Sequence, residues 1–109
     1  MTQKCLYDFN AQELIQFKEL RQKEIESAYF KLVTAELDLK NVENSLWLNT
    51  DFKAQGLTND KMRTAFISDN TSEIRFEITT LKYELKQQEN LLIIVNDLIK
   101  LRLQEVKQE

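Results

Sequence analysis

The chain has 109 residues, 42% of them hydrophobic, and its 15 basic and 18 acidic side chains leave a formal charge of −3. One glycine and no proline leave almost nothing to interrupt a helix, which excludes turn-rich sandwich and doubly wound folds and predicts a single all-α domain, 1–109. The lone cysteine excludes an internal disulfide, and the absence of histidine removes the common zinc, haem and nucleophile–base constellations, so no enzyme, metal site or cofactor is expected.

The opening residues lack the basic and apolar regions of an export signal, and Cys5 reads as an incidental thiol. No stretch approaches the roughly 20 apolar residues of a membrane span, so a cytoplasmic protein without membrane contact is expected. Leu6, Tyr7 and Phe9 are apolar enough to fold back as a staple. Asn10 and Glu13 have the spacing of a capping box, which opens a first helix over about 10–48. It closes where Asn49, Thr50 and Asp51 form the first cluster of turn residues. Along it Ile25, Ala28, Leu32, Ala35, Leu39, Val42 and Leu46 recur at alternating intervals of three and four, the spacing of a buried seam between paired helices.

A connector over about 49–69 holds Phe52, Gly56 and a short helix from Thr58 or Asn59 to about Ser68, with Met62, Ala65 and Phe66 on one face. Asn70 and Glu73 repeat the capping-box spacing, with Asp69, Thr71 and Ser72 as competing caps, and open a second long helix over about 70–107. Its seam is Ile74, Ile78, Leu81, Leu85, Gln88, Leu92, Val95, Ile99, Arg102 and Val106, only Gln88 and Arg102 departing from apolar character.

Two long helices with so short a connector should form an antiparallel, coiled-coil-like hairpin in which paired residue numbers sum to about 120. Val42 is then expected level with Ile78, Leu39 with Leu81, Ala35 with Leu85 and Ala28 with Leu92. Trp47, Leu48, Phe52, Leu57, Met62 and Phe66 would gather at the tip, where Trp47, Phe52, Met62, Arg63 and Phe66 are the candidate partner-binding residues.

A second apolar series, Leu91, Ile94, Leu98 and Leu101, runs beside the main seam, and Leu14, Ile15, Phe17, Leu20, Ile25 and Phe30 exceed one seam on the facing helix. The surplus predicts a homodimer in a four-helix arrangement, with Leu91, Ile94, Leu98, Leu101, Leu14 and Phe17 as its self-association residues. A different permanent partner, or the N-terminal segment folded over the stripe, would satisfy the same surplus. Lys18 and Arg102 near that end would snorkel from the interface edge or pair with Glu13, Glu19 or Glu105 of a second subunit. Gln88 could help set the register.

No glycine-rich phosphate loop exists, and the carboxylates read as solvated helix faces. The expected function is protein–protein interaction with a partner that the residues do not name. The alternative is a nucleic-acid-binding accessory that uses the connector, where Lys53, Lys61, Arg63 and Arg75 accompany Trp47, Phe52 and Phe66, diluted by Asp51, Asp60 and Asp69.

The segment 46–67, LWLNTDFKAQGLTNDKMRTAFI, resembles the turn region of small helical-hairpin proteins of phages and prophages. There a long amphipathic helix precedes a Thr-Asn-acid-Lys-x-Arg-x-Ala stretch, here 58–65, and a second charged helix follows. The resemblance implies a mobile-element accessory protein acting through protein contacts, as an assembly factor or an inhibitor of a host system. The chain departs from the secreted hairpins with a Trp-x-Gly turn, since Leu48 and Asn49 follow Trp47 and no Tyr-x-x-x-acid signal follows the second helix.

Overall fold

The computed structural model describes residues 5–108, with side chains as far as Glu105; Val106, the last predicted seam position, lies outside the described side chains. A 3-10 turn at Leu6–Asp8 is followed by α1 (Ala11–Asn49), α2 (Asp60–Asn70) and α3 (Ser72–Gln108), with no strand among the described residues. The protein is all-α.

Helix α1 begins where both halves of the capping box form. The Asn10 side-chain oxygen accepts from the Glu13 amide at 2.8 Å, and the Glu13 carboxylate accepts from the Asn10 amide at 3.2 Å. Beyond α1 the Asp51 carboxylate accepts from the Ala54 amide at 3.2 Å, and the chain reverses through Gly56. The Leu57 amide donates to Phe52 O at 2.8 Å and the Gly56 amide to Lys53 O at 3.1 Å, the paired bonds of a Schellman turn. Gly56 occupies its left-handed position at φ +74°, and a Cβ there would meet nothing within 4 Å, so backbone conformation alone requires the glycine.

Asn59 caps α2 by accepting from the Met62 amide at 2.8 Å. The helix then runs past the expected Ser68 to Asn70, and the expected box at Asn70 and Glu73 does not form. Asn70 is already engaged, its side-chain amide donating to Phe66 O at 2.8 Å. The break falls on Thr71, only 1% exposed. Its hydroxyl donates to Ile67 O at 2.8 Å and accepts from Arg75 Nε at 2.9 Å, so a buried polar group is satisfied from α2 and α3 together.

The described chain packs as two compact units, a central one of residues 30–82 and a terminal one of residues 5–29 with 83–108. Parts of α1 and α3 contribute to each. In the central unit Leu32, Ala35, Ile67 and Ile78 are buried, and Leu39, Val42, Leu46, Ile74 and Leu81 are half-buried around them. An ion pair between Glu43 and Arg75 joins its two long-helix segments.

In the terminal unit Leu14, Leu85, Val95 and Leu98 are buried, with Ile25, Ala28, Gln88, Leu92, Ile99 and Arg102 half-buried. Every described position of both seams is thus withdrawn from solvent. Arg102 reaches Phe9, Leu14 packs with Val95 and Leu98, and Arg21 reaches Gln88, so rising numbers on one strand of this unit meet falling numbers on the other. The segments are antiparallel. Their register departs from the expected sum, since Leu14 packs about two to three helical turns earlier along α3 than the rule places it. The pairs Phe9–Arg102, Leu14–Val95, Leu14–Leu98 and Arg21–Gln88 all sum to about 110, so the two segments of this unit are uniformly offset along one another.

Candidate interaction surfaces

In the central unit the Schellman turn carries Phe52 against its neighbours. The Trp47 and Phe52 ring centroids lie 5.4 Å apart at 59°, and Phe52 and Phe66 lie 6.3 Å apart, edge to face at 88°. The Arg63 guanidinium stands 5.1 Å over the Phe52 ring, while its Nε donates to Leu57 O at 3.1 Å. Four of the five candidate tip residues therefore form one cluster. The fifth, Met62, is 41% exposed and accepts a weak contact from the Thr58 hydroxyl at 3.8 Å. Trp47 remains 43% exposed and Leu48 beside it 83%.

The same cluster bears on the nucleic-acid alternative. Phe52 has both its neighbouring rings and a guanidinium on it, which leaves little aromatic face for a base. Arg63 is held by Leu57 O, and Arg75 is shared between Glu43 and Thr71. Lys53 and Lys61 stay exposed, but so do Asp51, Asp60 and Asp69. A groove in this unit, of about 400 Å³, likewise mixes signs, with Glu36 and Glu43 opposite Arg75 and Lys82.

In the terminal unit the surplus apolar residues divide. Leu14 is 0% exposed and Leu98 7%; together with Val95 they form a core onto which Leu6, Phe9, Phe17 and Ile99 pack. Leu14 and Leu98, two of the expected self-association residues, lie inside the chain, with Leu6 and Phe9 of the N-terminal segment packed over them. Phe17 is half-buried with them, its ring 6.1 Å from that of Phe9 at 70°. The exposed remainder of the stripe is Ile94 at 43% and Leu101 at 52%, with Leu91 half-buried.

Arg102 also finds its partners at home. Its Nε donates to Phe9 O at 3.1 Å, one terminal nitrogen donates to Tyr7 O, and the other meets the Glu105 carboxylate at 3.2 Å. Burial of this seam cation is thus satisfied mainly by backbone carbonyls. Lys18 is half-buried.

Arg21 is a residue the sequence reading passed over. It lies 4.7 Å over the Phe17 ring, bonds Glu24 at 2.7 Å and reaches Gln88 at a marginal 3.5 Å, while its buried Nε has no acceptor. The four-residue interval between Phe17 and Arg21 was the available signal.

No helix of the described residues is long and apolar enough to cross a membrane. Comparison with protein-family models, curated proteins and solved structures finds no match to the chain.

Proposed function

We propose that the protein works without enzymatic chemistry, as a phage or mobile-element accessory factor that binds a protein partner and associates with a second copy of itself. The observation that carries this reading is the set of large apolar side chains left in water beside well-packed ones. They include Trp47, Leu48 and Met62 near the aromatic cluster, and Ile94 and Leu101 near the terminal core. Isolated apolar residues on a surface need no explanation, but groups of them that adjoin a core mark contact surfaces.

The aromatic cluster supplies two features of a binding hot spot, a rigid aromatic anchor and an arginine, and the exposed Met62, next to Arg63 in the chain, adds a flexible side chain that adapts on contact. Homodimerisation through Ile94, Leu101 and Leu91 would build the four-helix arrangement. The resemblance of residues 46–67 to phage hairpin proteins supports an assembly factor or an inhibitor of a host system.

Affinity capture from host lysate with the wild-type chain and with Leu48→Asp tests the partner reading. Leu48 packs against little, so the variant should fold normally and lose the retained protein. Retention of the same protein by both chains would contradict a role for this surface. A salt-dependent shift of single-stranded DNA, abolished by reversing Lys61 and Arg63, would favour the nucleic-acid reading instead.

A further inference from the structure

We propose that Arg21, Gln88 and Arg102 act as a register lock in the terminal unit: polar side chains in an otherwise apolar seam, matched to one another and to backbone at one offset of the two long-helix segments and mismatched a heptad to either side. A three-four seam does not choose its own register, because a slide of seven residues returns apolar positions to apolar positions. The choice is a real one in this chain. In the central unit Glu43–Arg75 and Phe52–Phe66 sum to 118, close to the offset that a short connector implies, whereas the pairs of the terminal unit sum to about 110. The two sums differ by about a heptad.

At the observed offset like meets like. Leu14 packs with Val95 and Leu98, Arg21 reaches the Gln88 side-chain oxygen at 3.5 Å, and Arg102 donates to Phe9 O and Tyr7 O. A slide of one heptad toward the larger sum would set Arg21 level with Val95 and Leu14 level with Arg102, and the opposite slide would set Leu14 level with Gln88. Each places a half-buried polar side chain against an aliphatic one, and each moves Arg102 off the carbonyls by which it holds the N-terminal segment. Arg21 shows that selection rather than stability is served. It bonds Glu24 at 2.7 Å and stands 4.7 Å over the Phe17 ring, yet its Nε is buried with no acceptor. A leucine there would avoid that cost and would meet a leucine at 88 or the valine at 95 equally well.

Disulfide reporters test the lock. In a full-length Cys5→Ser chain, Ile25→Cys with Leu85→Cys reports the observed offset and Ile25→Cys with Leu92→Cys the slid one. Under diamide oxidation, intramolecular closure read by non-reducing electrophoresis should favour the first pair roughly ten-fold, the effect of one hydrogen bond to a charged group. With Arg21→Leu and Gln88→Leu added, the two pairs should close within about three-fold of one another, since an all-apolar seam accepts both offsets. Circular dichroism checks that the leucine seam is folded; if it is not, Gln88→Leu alone carries the same comparison and should already narrow the preference. A folded leucine seam that keeps the ten-fold preference would overturn the lock, and so would equal closure of the two pairs in the wild-type seam.

Discussion

At the scale of single residues, the structure turns on a few positions where only one side chain fits the chemistry. Gly56 sits at φ +74° with open space around its Cα, so Gly56→Ala should cost only the left-handed backbone penalty, about 1–2 kcal/mol. Thermal unfolding measures it, and Gly56→Asn should recover part of the loss, because asparagine tolerates that conformation. Thr71 is buried with its hydroxyl between Ile67 O and Arg75 Nε. Thr71→Val keeps the shape but removes the hydroxyl that accepts from Arg75 Nε, leaving Arg75 to Glu43 and solvent, and chemical denaturation should show a loss of about 0.5–1.5 kcal/mol that Thr71→Ser largely avoids. A loss in Thr71→Ser with little in Thr71→Val would assign the effect to the methyl group instead.

Legibility at this scale was uneven for a physical reason. Asn10 and Glu13 form the box their spacing predicts, the Asn10 side-chain oxygen accepting from the Glu13 amide and the Glu13 carboxylate from the Asn10 amide. Asn70 and Glu73 have the same spacing, yet the preceding helix had already taken Asn70 through Phe66 O. A local motif fails where a neighbouring element takes one of its groups first, as α2 takes Asn70.

At the scale of elements, the three-four periodicity of α1 and α3 located the buried faces position by position, since the heptad pattern depends on helix geometry alone. Leu85, buried in the terminal unit, should lose about 2–5 kcal/mol on Leu85→Ala, while the exposed Leu37→Ala should stay within about 0.5 kcal/mol of wild type in the same denaturation assay. Comparable losses would mean that the outer face of α1 is covered. Register was less legible, because sliding one helix past another by whole turns keeps the same faces in contact, and the pairs of the terminal unit sum to about 110 where the rule gives about 120. The aromatic cluster was legible in its membership and not in its bonds: Trp47, Phe52, Arg63 and Phe66 came together, but the hold of Leu57 O on Arg63 arises from the glycine turn.

At the scale of the whole molecule, the surplus apolar surface of the second half was evident from residue spacing, which left its cover open between a second copy, another partner and the N-terminal segment. Leu6 and Phe9 close over Leu14 and Leu98 because Arg102, placed in the seam by the same periodicity, finds backbone oxygens there. Of the second apolar stripe they leave Ile94 and Leu101 uncovered, and on these the proposed homodimer depends. Sedimentation of the wild-type chain beside Ile94→Asp measures that directly. A side chain already 43% exposed can accept a carboxylate without unfolding its helix, so the wild type should sediment as a dimer and the variant as a folded monomer. Superimposable profiles for the two chains would contradict it.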